Sequence, residues 1–191
     1  LLTTVTINSG SALHNSGDTI GNKAFRDCIK LTQLGPTAGK IIIPSGITTL
    51  TTSLFNHCHA ITDVIIPSSV ISIGNYVFVS NTALRNCLLP NNTVTSIGSE
   101  VFQNCTKLTN FIVPYYPIST SSLLSSNTFD GATIMDLKAV DSSGNIWTYY
   151  ENKVVNSTTD IKTLIESFQS DKYGWSQDRA QINSIDKLYN S

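Results

Sequence analysis

The sequence has few charged residues. Asp, Glu, Lys and Arg make up 13% of its 191 residues, and 12 basic side chains against 13 acidic ones give a net charge of −1. A nucleic-acid-binding surface needs a stripe of Lys and Arg that neutralises phosphates, and no such stripe is present. We therefore expect no nucleic-acid partner. The polarity comes from Ser, Thr and Asn instead, a composition that favours an extracellular or cell-surface location, or alternatively a virion surface.

Long apolar runs are also absent. No stretch of eighteen apolar residues occurs, so the sequence predicts no membrane span in this segment. The opening Leu1-Leu2 has neither an initiator Met nor the basic start of a signal peptide. We expect the chain to be a fragment or a processed form of a larger surface protein.

Motifs for catalysis and cofactor binding are missing as well. There is no Gly-x-Ser-x-Gly elbow and no glycine-rich phosphate loop. The stretch His57-Cys58-His59 contains metal-ligand residue types, but no further set of Cys, His or carboxylates follows at a ligand spacing. Alternation along the chain turns the cysteine inward and the histidines outward. We predict that the chain is not an enzyme and has no cofactor and no metal site.

What the sequence does contain is a repeat anchored on phenylalanine. An aliphatic residue stands five positions before each anchor, and a hydrophobic run that ends in proline closes most units. The spacings between anchors are 30, 23, 24 and 27 residues. The anchors are Phe25, Phe55, Phe78, Phe102 and Phe129.

The L-x-x-L-x-L core of a leucine-rich repeat also occurs four times, as in Ile61-x-x-Val64-x-Ile66. Because side chains alternate along a strand, Val64 and Ile66 point into the solenoid while Asp63 and Ile65 point outward. One coil cannot bury its apolar side alone, so stacked coils share a continuous core. Residues 34–40 interrupt this register and predict an inserted, turn-rich loop.

The string I-P-x-x-V-x-x-I-G-x-x-x-F, present at residues 66–78, resembles the BspA-like leucine-rich repeat family, and residues 102–109 repeat its next part, F-x-x-C-x-x-L-T. The resemblance covers about residues 1–135. It implies a right-handed leucine-rich repeat solenoid with short parallel strands. It also implies a scaffold for adhesion, in contact with host proteins, matrix or other cells, rather than one type of chemistry.

The repeat ends near residue 136. Residues 137–141 and 146–155 flank a turn and predict a β-hairpin. The spacing of Ile161, Leu164, Ile165 and Phe168 predicts an amphipathic helix, and a weaker helix follows around Ile182 and Ile185. We interpret residues 136–191 as a small α+β C-terminal cap on the solenoid. A small separate docking domain is the alternative.

Four cysteines are present. Cys28, Cys58 and Cys105 occupy the same interior position of their coils, three residues after the phenylalanine, and Cys87 fills an inward strand position. Free cysteine behaves as a small buried hydrophobe. We predict buried, reduced thiols, with a Cys28–Cys58 disulfide as the alternative.

The outward strand face is the predicted binding site. One column of it is polar and the next is largely aliphatic, and a continuous apolar row on a surface indicates an interaction site. Two alternatives stay open: β-branched residues suit strands in any case, or the C-terminal segment covers the row. The partner-binding candidates are Lys40, Ile42, Asp63, Ile65, Asn86, Leu88, Asn110 and Ile112.

These features predict a surface module that binds a protein, whether a host protein, a matrix protein or a neighbouring subunit. The first alternative is a structural spacer or decoration on a cell envelope or virion, docked through the C-terminal segment. The second is glycan binding by the tail aromatics Trp147, Tyr149 and Trp175, whose rings would stack on sugars. Aromatic rings also bury large areas, so the same residues are equally accounted for by packing of the tail.

Overall fold

The computed structural model describes residues 1–6, 18–89, 93–113, 124–125, 127–134, 136–141, 143, 145–149, 157–158, 161, 163–164, 166, 168 and 175–177. Within these residues the chain winds into a repeat solenoid with short parallel strands. The fold predicted from the sequence is therefore confirmed.

In the described part of the chain, nine strands form one sheet along the solenoid. In spatial order they are β1 (Thr4–Val5), β3 (Gln33–Leu34), β4 (Ile41–Ile42), β6 (Asp63–Ile65), β8 (Asn86–Leu88), β10 (Asn110–Val113), β11 (Asp136–Val140), β12 (Ile146–Tyr149) and β13 (Trp175–Gln177). Neighbours from β1 to β11 pair in parallel. The β11–β12 and β12–β13 pairs are antiparallel, so the predicted hairpin is present and continues into a third strand.

A second sheet, which the sequence analysis did not predict, lies on another side of the coils. Among the described residues it contains β2 (Asp18–Thr19), β5 (Ile47–Leu50), β7 (Ser72–Ile73) and β9 (Ser96–Ile97), all parallel. Each of these strands ends at, or is followed by, the aliphatic residue that stands five positions before a phenylalanine. Leu50, Ile73 and Ile97 are buried there.

The five anchor phenylalanines stack in one column through the core. Ring centroids of successive members lie 5.3 to 5.7 Å apart, with interplanar angles of 15° or less. Phe111 joins the last two rings edge-on, 5.6 Å from Phe102 and 4.9 Å from Phe129. Because equivalent side chains superpose from coil to coil, the inner and outer rows of the strands are in phase too.

Each turn around a phenylalanine uses two left-handed backbone positions, two residues before it and two residues after it. Around Phe78 these are Tyr76 at φ 62° and Ser80 at φ 57°. The same pair recurs in every coil: Lys23 and Asp27, Ser53 and His57, Glu100 and Asn104, Asn127 and Gly131. Most residues pay a steric cost in this region, so the tight turn is held by stacking rather than by local preference.

The structure differs from the sequence analysis at residues 34–40. Leu34 is not part of a loop but is buried in β3, where it pairs with Val5 of β1. The chain then leaves the sheet and returns beside itself, so that Ile41 pairs with Leu34 on one side and with Val64 on the other. The excursion thus adds an extra rung to the sheet.

The tail packs against the last coil. Thr158 Oγ1 accepts a hydrogen bond from the backbone N–H of Phe129 at 2.9 Å and donates one to Asp130 Oδ1 at 3.1 Å. The described residues at positions 158, 161, 163, 164, 166 and 168 are helical, in agreement with the predicted helix. Ile161 and Phe168 are buried in the common core. The weaker helix predicted around Ile182 lies outside the described residues.

The four cysteines are free thiols, and Cys58, Cys87 and Cys105 are buried as predicted. The Cys58 S–H donates to the carbonyl of Phe25 and that of Cys105 to the carbonyl of Phe78, one coil back in each case. Burial raises the pKa of Cys58 and of Cys105 to about 12. Cys28 is half-buried. Its thiol pKa is also raised, mainly by burial and to a smaller extent by the nearby Asp27 carboxylate.

Candidate binding surface

The polar column of the outward face is a hydrogen-bonded ladder. Asp63, Asn86 and Asn110 are direct partners in three neighbouring parallel strands. Asn86 Nδ2 donates to Asp63 Oδ1 at 2.7 Å, and Asn110 Nδ2 donates to Asn86 Oδ1 at 2.7 Å. Each amide is therefore fixed by the strand beside it, which leaves the face with an ordered array of polar atoms.

Beside the ladder runs an aliphatic row. It is in continuous register, since Ile42 pairs with Ile65, Ile65 with Leu88, and Leu88 with Ile112. All four side chains are half-buried rather than fully exposed. At one end the row meets Lys138, the partner of Ile112 in β11. At a strand spacing of about 4.8 Å, four members span roughly 14 Å.

The excursion of the chain borders the other end of this row. Gly35 has a left-handed φ of 98°, and a Cβ placed there would lie 3.4 Å from the Cβ of Ile42. Lys40 precedes Ile41, outside the strand, and is half-buried. The polar column also extends to β1 and β3. There the residue that pairs with Thr4 is Gln33 rather than Lys40. Gln33 is not among the residues predicted for this face, although Leu31-Thr32-Gln33-Leu34 matches Ile61-Thr62-Asp63-Val64 and would have identified it.

Trp147 and Tyr149 lie in β12 outside these two columns, since it is Thr148 that pairs with Lys138. Trp147 donates from its indole Nε1 to Asp141 Oδ2 at 2.9 Å, and its ring contacts Phe168 edge-on at 6.1 Å. Trp147 and Tyr149 are half-buried and pack against the core. Tyr149 pairs in register with Trp175 of β13. Packing of the tail thus accounts for Trp147, and glycan binding by these three residues stays a prediction.

Asp141 anchors the turn of the hairpin. Burial raises the pKa of this carboxyl, but hydrogen bonds from Asn145, Trp147 and Ser143 outweigh that effect and hold the pKa below its usual value. The contact with Trp147 therefore joins an ionised carboxylate to the indole N–H at neutral pH. This arrangement orients the ring toward the tail helix.

The histidines at positions 57 and 59 lie close together, with ring centroids 5.8 Å apart. His57 Nδ1 contacts Asn56 Oδ1 and lies 3.9 Å from Asp27 Oδ1, and His59 Nδ1 lies 2.9 Å from the carbonyl of Ser80. Among the described residues no group of three His, Cys, Asp or Glu side chains is placed to hold a metal ion. Within the same part of the chain, no helix has the length and apolar character needed to span a bilayer.

Comparison with known proteins identifies the repeat. A family model described as the BspA type leucine rich repeat region matches six copies over residues 4–136. Among solved structures, the leucine rich repeat protein TpLRR of T. pallidum is similar to this chain at 17% identity and a TM-score of 0.45, with 69% of this chain and 50% of that protein covered. The chain thus spans half the length of that protein. No curated protein matches the sequence.

Proposed function

Because the chain belongs to the BspA-type leucine-rich repeat family, we propose that it is a non-catalytic binding and adhesion module of a surface protein. It recognises a protein partner through the outward face of the β4, β6, β8 and β10 strands. The residues in contact are those of the aliphatic row, the polar ladder and Lys40. A location outside the cell or on its surface belongs to the same proposal.

The observation that carries this proposal is the unbroken register of the aliphatic row. Four branched side chains in neighbouring strands form an apolar strip on the outward side. Such a strip adds little to the stability of a monomeric solenoid, and exposed apolar strips are typical of interaction sites. All four side chains are half-buried, so part of each is accessible to a partner. The ladder beside it supplies directional hydrogen bonds, which fix the orientation of a bound segment.

Low charge adds a further feature of the proposed contact. On this face Asp63 is the ionisable member of the hydrogen-bonded ladder, and Lys40 and Lys138 lie near the ends of the row. Association therefore depends on apolar burial rather than on electrostatic steering, and its rate changes little with ionic strength.

The test is a double substitution, Ile65→Asp with Leu88→Asp, assayed for binding to purified extracellular-matrix proteins and to immobilised cells. We expect loss of binding with an unchanged circular dichroism spectrum. The matched control is Ile29→Asp with Ile71→Asp, because these residues are 43% and 50% exposed and lie off the outward face. The proposal is wrong if the first variant binds as well as the unaltered protein.

The structural alternative has one observation in its favour. β13 (Trp175–Gln177) is the last strand of the large sheet, and in the described residues it pairs with β12 alone. An edge strand can accept a strand from a neighbouring subunit. Substitution of Ser176 by Pro would abolish assembly into an envelope or particle while leaving binding by the repeats intact.

Glycan binding by the tail would appear as quenching of tryptophan fluorescence by oligosaccharides.

A further inference from the structure

The aliphatic row has two defined ends and a fixed length. At one end Gly35 of the chain excursion lies against Ile42, since a Cβ placed at Gly35 would be 3.4 Å from the Cβ of Ile42. At the other end the partner of Ile112 in β11 is Lys138. The four aliphatic side chains between these limits are half-buried and follow one another in register. A partner that covers the whole row therefore needs apolar groups about 4.8 Å apart over roughly 14 Å.

The strands beneath the row are paired on both sides. β6 lies between β4 and β8, and β10 lies between β8 and β11. The carbonyls of Ile65 and Leu88 accept hydrogen bonds from the N–H groups of Ile43 and Ile66, at 3.1 and 3.2 Å. An extended peptide laid on this face would bury its own N–H and C=O groups without backbone partners, at a cost in free energy. A helix bonds its backbone internally, so the face favours a helical partner.

The spacing of the row also matches the apolar seam of an amphipathic helix. Side chains three, seven and ten positions along a helix lie about 4.5, 10.5 and 15 Å from the first. The members of the row lie about 4.8, 9.6 and 14 Å from the first, so the two sets agree to within about 1 Å. In an extended chain the side chains of one face recur about every 6.7 Å and lose step by about 2 Å per strand. A polyproline helix, with about 9.3 Å per turn, meets every second strand.

The polar ladder flanks the path of such a helix. Asp63 precedes Ile65 by two residues in β6, so the ladder runs about 6.6 Å to one side of the row. A helix with its side chains has a radius of about 5 to 6 Å, so residues beside its apolar seam reach the ladder. Asp63, which accepts from Asn86 through Oδ1, is the acidic member of the ladder. A Lys or Arg beside the seam would pair with this carboxylate.

We propose that the partner of the outward face is an amphipathic helix of about three turns, which lies along the aliphatic row and crosses β4, β6, β8 and β10. Four of its apolar side chains, at heptad a and d positions, pack on Ile42, Ile65, Leu88 and Ile112, and a basic residue beside the seam pairs with Asp63. This inference rests on the proposed function, because it names the class of partner that the same face binds.

The test measures binding of the unaltered protein to a synthetic peptide by fluorescence anisotropy. The helical probe has about 14 residues, with leucine at each a and d position, lysine beside the seam and a lactam bridge on the opposite side. The control peptide has the same composition without the bridge, and its leucines stand at alternate positions as an extended chain requires. We expect saturable binding of the helical probe and at least about tenfold weaker binding of the control.

Substitutions in the protein test the direction in which the helix lies. Replacement by Ala at each of four positions in turn should weaken binding of the helical probe at least about threefold, because the helix contacts all of them. These positions are Ile42, Ile65, Leu88 and Ile112. The matched control is Ile71→Ala, which is 50% exposed, lies off this face and should leave binding unchanged. Sensitivity at one or two of the four positions would mean that the peptide crosses the row, and would overturn the inference.

The pairing with Asp63 has its own measurement. Asp63→Asn keeps an acceptor for Asn86 but removes the charge. It should weaken binding of the lysine probe and leave unchanged the binding of a probe with glutamine at that position. Equal effects on the two probes would overturn the pairing.

The failure of this inference is distinguishable from the failure of the proposed function. Suppose that Ile65→Asp with Leu88→Asp abolishes binding to matrix proteins and cells. If the helical probe then fails to bind the unaltered protein up to about 1 mM, or binds less tightly than the alternating control, the helix is wrong and the face stands. If the double variant keeps its binding to matrix proteins and cells, the face is wrong and the helix with it.

Discussion

The side-chain amide of Asn86 donates a hydrogen bond to the carboxylate of Asp63 across 2.7 Å, from one coil to the one before it. Asn110 repeats the contact one coil later, on Asn86 Oδ1. The outward face of three strands is therefore one network, in which the order of donors and acceptors is fixed. Substitutions that exchange an amide for a carboxylate test this order without changing side-chain size.

Asn86→Asp would place two carboxylates directly opposite each other in β6 and β8. Like charges in facing positions destabilise a sheet, and we expect a loss of up to about 1 kcal/mol in the free energy of unfolding at neutral pH. Protonation at low pH removes the repulsion between the two carboxylates, so the loss should be smaller at pH 3.5 than at pH 7. Urea unfolding at pH 7 and pH 3.5 measures both quantities.

The charge-exchanged double variant Asp63→Asn with Asn86→Asp is the control. It restores one carboxylate in the centre of the ladder, able to accept from amides on both sides, and should recover the stability of the unaltered protein. A double variant as unstable as Asn86→Asp alone would show that the ladder does not operate as the contacts indicate.

Gly98→Ala should be strongly destabilising, whereas Gly21→Ala should be nearly neutral. The two glycines occupy the same repeat position, but an added Cβ lies 2.6 Å from the backbone of the preceding coil at Gly98 and meets nothing within 4 Å at Gly21. Overpacking of this kind costs about 1–3 kcal/mol. Thermal or urea unfolding of both variants measures the difference. Equal effects would mean that coil-to-coil contact does not account for the glycine.

The phase of the coils could be predicted because it depends on residues that recur in sequence. Phe78 and Phe102 carry the signal, and both lie in the column that their spacing predicts. The second sheet could not be predicted, because β7 and β9 are two residues long and hold no alternation of their own. They exist because stacking brings Ser72 beside Ser96.

The extra rung at Leu34 shows a different limit. Leu34 and Ile41 both fit the inward strand position, and a linear repeat assigns only one residue to it. Tertiary pairing accommodates both, since the excursion of residues 35–40 allows the two strands to lie side by side. The outward columns could be read from alternation alone, but the hydrogen bonds that turn one of them into a ladder depend on rotamers, which the sequence does not specify.

The buried thiols predict an alkaline loss of stability. The pKa values of Cys58 and Cys105 are raised to about 12 by burial, so both stay protonated in the folded state where an unfolded thiol ionises near 8.5. The unfolded state then binds fewer protons, and the free energy of unfolding falls with rising pH above about 8.5, by roughly 1.4 kcal/mol per unit per thiol. Urea unfolding between pH 7 and 10 measures the slope.

Cys105→Ala should remove one thiol's share of that slope, and the last coil already accommodates alanine at the equivalent Ala132. In the folded protein a thiol-reactive dye at pH 8 should label Cys28 ahead of Cys58, Cys87 and Cys105. Rapid labelling of all four would contradict their burial.

Thr158→Val tests whether the tail caps the last coil. Its hydroxyl is the acceptor for the buried N–H of Phe129, and loss of a buried partner costs about 1–3 kcal/mol. We expect the unfolding midpoint of the whole chain to fall, and Thr158→Ser, which keeps the hydroxyl, to retain most of the stability. If the tail is a separate domain, Thr158→Val should lower only the midpoint of a separate tail transition, and the repeats should unfold at the same midpoint as in the unaltered protein.

The position three residues after the phenylalanine holds cysteine in the coils of Phe55 and Phe102, as Cys58 and Cys105. In the coil of Phe78 it holds Asn81, whose side chain is completely buried. Its Oδ1 accepts from the N–H of Cys58 at 2.9 Å, but its Nδ2 has no partner within the described residues. In Asn81→Cys the thiol would donate one coil back to the carbonyl of Phe55, as Cys58 and Cys105 do to Phe25 and Phe78. The N–H of Cys58 would keep its second acceptor, the carbonyl of Phe55 at 3.3 Å.

Removal of a buried, unpartnered donor in Asn81→Cys should raise the free energy of unfolding by about 1–3 kcal/mol. Asn81→Ala, which removes the same donor but adds no S–H and leaves a void, should gain less; a loss of stability in Asn81→Cys would mean that the amide stabilises the second and third coils through both of its polar atoms.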